Sequence, residues 1–67
     1  GVFVLEVQPG TPAAEAGIEA GDILTGVDGE RVGNTEGLRR NLDVALDAAV
    51  VELVRGRMRG SVEVDLD

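Results

Sequence analysis

The sequence predicts an α+β domain, mainly β with two α-helices, closed into a small and partly open β-barrel or roll. Three observations predict it. A proline-started, glycine-stopped helix at Thr11–Gly17 sits between two apolar runs, and leucines recur at helical spacing at Leu38, Leu42 and Leu46. Beyond them, two apolar runs flank an arginine- and glycine-rich reversal near the C-terminal end. With 67 residues the chain makes one domain at most. A domain this short buries only about 60% of the surface its unfolded chain exposes, so modest stability is expected.

Gly1 to Val7 reads as a strand. Phe3, Leu5 and Val7 share one face, and Val2 and Val4 make the other face apolar until Glu6 and Gln8. That pattern suits a strand central to the barrel and covered on both sides over part of its length. A chain that starts directly in a strand also reads as a piece of something longer.

The next stretch is specified by local chemistry. The Thr11 hydroxyl caps a helix of one to two turns, and Pro12 takes the first helical position, where its missing N–H costs nothing. Ala13, Ala14 and Ala16 favour the helix, Gly17 supplies the left-handed residue that ends it, and Ile18 folds back as the apolar partner of that cap. Gly21-Asp22 marks a turn and Ile23 to Val27 a strand. Asp28-Gly29 is a strong reversal signal, because both residues tolerate positive φ.

Asn34 or Thr35 caps the second helix, with Glu36 favourably placed against its dipole. Leu38, Leu42 and Leu46 form its apolar stripe, which Val44 and Ala45 widen. Gly37 in the first turn costs about 1 kcal/mol relative to alanine. No glycine or proline marks the helix end. Ala49 to Arg55 is a strand and Arg55 to Gly60 a turn. Ser61 to Asp67 is the partner strand, with Val62, Val64 and Leu66 inward and Glu63, Asp65 and Asp67 outward.

Composition then narrows the chemistry. The chain has no His, Cys, Lys or Tyr, and Ser61 is its single serine. A serine without a neighbouring base stays protonated and weak, so no Ser-His or Ser-Lys nucleophile can be built. Glu63, Asp65 and Asp67 line one strand face open to water, not two sides of a cleft as paired-acid hydrolysis needs. The stretch from Asp28 to Glu36 lacks the ligand spacing of a calcium loop, and no cofactor or metal site is expected. Thirteen acids against six arginines give a net charge of −7, which disfavours nucleic acid and anionic membrane surfaces. Arg55, Arg57 and Arg59 form the only basic cluster, read as a solvated turn that pairs with nearby acids. No apolar run approaches the roughly 20 residues that span a bilayer.

Three segments together, Gly1-Val-Phe-Val-Leu-Glu-Val, Pro9-Gly-Thr-Pro-Ala-Ala-Glu-Ala-Gly-Ile and Ala20-Gly-Asp-Ile-Leu-Thr-Gly-Val-Asp-Gly-Glu-Arg-Val, closely resemble the central part of PDZ domains. The bacterial and archaeal type attached to proteases is the nearest in kind: HtrA-like serine proteases, intramembrane site-2-type zinc metalloproteases and carboxyl-terminal processing proteases. The resemblance is specific from Gly1 to about Leu42 and looser to Asp67.

It implies a non-catalytic module that binds an extended or C-terminal peptide of a protein substrate by strand addition beside the second helix. It also implies a parent protease of the cell envelope or membrane, with the catalytic residues outside this chain. In the family, backbone amides of a loop before the binding strand hold the peptide carboxylate. Gly1–Val7 matches the strand after that binding strand, so residues 1–67 are expected to lack the loop and the strand, which belong upstream of Gly1 or come from another chain. Thr35, Arg39 and Leu42 match the family's groove-facing helix positions. Thr35 would touch a ligand hydroxyl or a water, Arg39 would favour an acidic ligand residue, and Leu42 would floor a pocket for an apolar terminal residue. The competing roles are a plain cap, an exposed helix residue and a core leucine. The competing function is a structural module that packs on a neighbouring domain and reads no peptide.

Overall fold

The computed structural model describes residues 1–44 and 47–66. The readings placed on Ala45, Leu46 and Asp67 lie outside the described residues, as does the side chain of Val44. The elements run β1 (Val2–Phe3), α1 (Pro12–Ala16), β2 (Ile23–Val27), β3 (Glu30–Arg31), α2 (Thr35–Val44), β4 (Ala48–Arg55) and β5 (Met58–Asp65). The strands form one antiparallel sheet in the order β1-β2-β4-β5. β3 pairs with the second half of β2, on the same edge as β1. The α+β class with two helices and an incompletely closed sheet is therefore the observed architecture.

The first helix forms as its residues dictate. The Thr11 hydroxyl accepts the Ala14 N–H at 3.3 Å while donating to the Gln8 carbonyl at 2.7 Å. At the other end Gly17 adopts φ 96°. Its N–H bonds the Ala14 carbonyl at 3.2 Å, and the Ile18 N–H bonds that of Ala13 at 3.1 Å. These paired bonds satisfy carbonyls the helix leaves open, and they turn Ile18 into the core. In α2, Asn34 is the cap, not Thr35: its Oδ1 accepts the Gly37 N–H at 2.8 Å and its carbonyl the Leu38 N–H at 3.0 Å. Gly37 thus occupies the position whose amide the cap needs.

The core gathers Ile18, Leu24, Val27, Val32, Ala49, Val51, Leu53 and Val64 on the inner face of the sheet, with Leu38 and Leu42 of α2 packed against it. Alternation along β4 puts Ala49, Val51 and Leu53 inside, as the strand period requires. Asp28 and Gly29 take φ 51° and 83° and close a two-residue hairpin between β2 and β3.

Three expectations are corrected. The first strand is two residues long and lies at the sheet edge, not at its centre. Beyond Phe3, Val4 exchanges bonds only with the turn, donating to the Asp22 carbonyl and accepting from the Gly21 N–H at 2.8 Å each. Gly21 sits at φ 95°, so no ladder continues past it. Nor is the strand covered on both faces, because Val2, Val4 and Val7 pack inward whereas Phe3 and Leu5 are 58% and 82% exposed. The last turn is shorter than expected as well. Arg55 pairs with Met58, so Gly56 and Arg57 alone make the reversal and β5 starts three residues before Ser61. Gly56 at φ 60° takes the first central position, the place where a two-residue hairpin accepts glycine. Ser61 is therefore a mid-strand residue opposite Glu52, not the first residue of the strand.

Candidate peptide-binding site

The candidate residues lie on α2 and the free sheet edge is β1, and the cavity beside β1 is lined by none of Thr35, Arg39 and Leu42. Residues 35, 39 and 42 fall on one stripe of a helix, because at about 100° per residue they lie within an arc of about 60°. Thr35 and Arg39 are exposed, and Leu42 is half-buried against the core. The stripe thus runs from a hydroxyl at the helix start, through a guanidinium, to an apolar surface. β1 stands at the end of the sheet order. Beside it opens a largely apolar cavity of about 320 Å³, lined by Val4, Val7, Thr11, Ala13, Ile18 and Leu24 among others. An extended chain along this edge would find backbone partners on β1 and an apolar recess for one side chain.

What holds this edge in place is an ion-pair cluster. Arg55 leaves the end of β4 on its inward side and donates from Nε to Oδ1 of Asp22 at 2.8 Å and from Nη2 to Oδ2 at 2.9 Å. The same Nη2 reaches the Gly17 carbonyl at 2.7 Å, and Nη1 lies 3.1 Å from Glu19 Oε2. Asp22 is 1% exposed and also accepts the Glu19 N–H at 2.9 Å. The Arg55 hydrogen bonds, then the Glu19 amide, lower the Asp22 pKa to about 2 against the opposing pull of burial. Hydrogen bonding to Asp22 raises Arg55 further above its already high value. The loop from Gly17 to Asp22 is in this way locked onto the sheet, fixing the floor of the cavity.

Sequence reasoning read Asp22 as a turn residue and Arg55 as part of a solvated cluster, and missed that they meet. The signal was parity. Asp22 precedes Leu24 by two positions, and Arg55 follows Leu53 by two, so both extend the inward-facing alternation of their strands. Among the described residues, no group of three or more potential metal ligands exists and no helix is long and apolar enough to cross a membrane.

Comparison with known proteins agrees with the fold. Residues 3–56 match the PDZ domain family. The chain is 38% identical over 69 residues to the periplasmic pH-dependent serine endoprotease DegQ of Escherichia coli, a match covering 100% of the chain and 15% of DegQ. It is 35% identical over 80 residues to the chloroplastic Protease Do-like 1 of Arabidopsis thaliana, covering 100% of the chain and 18% of that protein. Among solved structures, the HtrA3 PDZ domain bound to a phage-derived ligand (FGRWV) superposes with a TM-score of 0.87 at 25% identity, covering 94% of this chain and 60% of the other. The chain belongs to the PDZ domain family, and within it resembles the PDZ domains of HtrA-family serine proteases. It is an interaction module, not a catalytic domain. It spans less than a fifth of the length of the curated relatives it matches.

Proposed function

We propose that this module recognises C-terminal or extended segments of protein substrates for a larger serine protease of the cell envelope. The peptide adds as a strand beside α2, with its side chains read by Thr35, Arg39 and Leu42. The carboxylate-holding loop and the strand that pairs with the free edge of β1 come from sequence upstream of Gly1 or from another chain. The observation that carries this reading is the match to a peptide-bound PDZ domain over 94% of the chain. The exposed Arg39 and the half-buried Leu42 on one helical stripe support the assignment of side-chain pockets.

The test is a titration of the domain, extended upstream of Gly1, with fluorescent C-terminal pentapeptides that include FGRWV. Saturable binding is expected, abolished when the peptide's terminal carboxylate is converted to an amide. Absence of binding across the library, or indifference to amidation, would overturn the reading.

A further inference from the structure

The face of the sheet turned away from the helices carries a second concavity. Its volume is about 520 Å³, and its lining includes Gly1, Arg31, Glu52, Val54, Arg59 and Gly60. The register explains it. Phe3, Ile23, Val54 and Arg59 form one cross-strand row, and Arg31, Gly26, Glu52 and Ser61 form the next. Gly26 leaves the middle of the second row without a side chain. A Cβ there would stand 3.1 Å from the Glu30 carbonyl oxygen and 3.2 Å from Glu52 Oε2.

What this face offers a partner is two guanidiniums lining one cleft. Of the six arginines, Arg40 pairs with Glu36, and Arg55 with Asp22 and Glu19. The other four, Arg31, Arg39, Arg57 and Arg59, make no ion pair among the described residues, and of these Arg31 and Arg59 line the same cleft. Beside them the apolar row of Phe3, Ile23 and half-buried Val54 is open to solvent. Two unpaired guanidiniums bracketing an apolar strip complement a segment of opposite pattern.

We propose that this face docks an extended acidic segment of a partner protein, distinct from the peptide read beside α2. Two of its carboxylates sit on Arg31 and Arg59, and an apolar side chain between them lies on Val54 and Ile23. β3 and β5 are three strand spacings apart, roughly 14 Å, and Arg31 and Arg59 stand in adjacent rows about 7 Å apart along the strands, so the span is roughly 16 Å, about four to five residues of an extended chain. The carboxylates therefore stand at positions i and i+4. Glu52 lies between the two arginines and repels an unbroken acidic run, so the intervening residues are neutral.

The probe is the acetylated, amidated heptapeptide Ser-Glu-Thr-Val-Ser-Glu-Gly, whose blocked ends give a carboxylate-reading groove nothing to hold. Titrated into the 15N-labelled 67-residue chain at low salt, it should shift the amides of Arg31, Val54 and Arg59 and leave Thr35–Leu42 unmoved. Binding should weaken with added salt. Arg31→Glu and Arg59→Glu should each weaken it about two- to fivefold, and the double variant should instead take the peptide with lysines replacing both glutamates. Failure of the charge swap, shifts confined to α2, or no shifts at millimolar peptide would overturn the proposal. So would tighter binding of a single-stranded oligonucleotide at the same residues, or dimerisation through this face. None of these outcomes bears on the C-terminal peptide titration, so the two readings fail separately.

Discussion

Arg55 holds Asp22 through two parallel N–H···O bonds of 2.8 and 2.9 Å, reaching across 33 positions of sequence. The carboxylate is buried and the guanidinium is partly exposed. Their loss is therefore asymmetric. Removing Asp22 leaves a cation that water can solvate, whereas removing Arg55 leaves a buried anion with only the Glu19 amide to hold it.

Arg55→Met should accordingly lower the melting temperature more than any other arginine substitution in the chain, by about 5–10 °C. Arg55→Lys should fall between, because an ammonium cannot reproduce the planar two-point contact. Circular-dichroism melts at neutral pH check the order. A melting temperature for Arg55→Met equal to that of the unaltered chain would contradict the bracing role.

Acid should weaken the fold through the same carboxylate. Its pKa is depressed in the folded state, from 3.8 to about 2. The stabilisation is complete above pH ~4, where the unfolded carboxylate is also ionised, and it fades as pH falls through ~2. A shift of about two units corresponds to about 2 kcal/mol. Urea titrations at intervals between pH 5 and 2 should show that loss, and Asp22→Asn should flatten the profile within that window. Parallel profiles for the two proteins would refute the linkage.

The short helix offers a smaller, local test. Thr11→Ala removes the acceptor for the Ala14 N–H and the donor to the Gln8 carbonyl, and should cost about 1 kcal/mol. Thr11→Gly should cost less, since glycine is tolerated at a cap. Equal losses from the two would point to packing of the threonine methyl instead of capping.

That helix was legible because every determinant lies within a few residues: a hydroxyl before Pro12, alanines inside, a left-handed Gly17 and an apolar Ile18. The Asp28-Gly29 hairpin was legible for the same reason. The extent of β1 was not, because a strand exists only where a partner runs beside it, and past Phe3 the neighbouring chain is the turn at Gly21. Asp22 and Arg55 each looked like turn residues from their glycine neighbours. Only counting alternate positions from Leu24 and Leu53 places both side chains inside, and nothing local says that the two meet. Glycine-rich β5 misled similarly: Gly60 suggested a longer turn, yet it pairs with Leu53 in the ladder.

The helical stripe gives the last test, on the domain extended upstream of Gly1. Arg39 is exposed and makes no ion pair among the described residues, so reversing its charge should leave the fold intact. If it reads a ligand side chain, Arg39→Glu should weaken peptides carrying an acidic residue at the facing position about two- to fivefold and strengthen basic ones by a similar factor. Leu42→Ala cannot serve alone, because Leu42 also packs against the core and its truncation lowers stability along with binding. Thr35→Val is the complementary control. It removes the hydroxyl but leaves the Asn34 cap, so stability should hold while preference for a hydroxyl-bearing ligand residue falls. Anisotropy titrations with matched peptide pairs separate these effects, and a preference unchanged by Arg39→Glu would remove that residue from the groove.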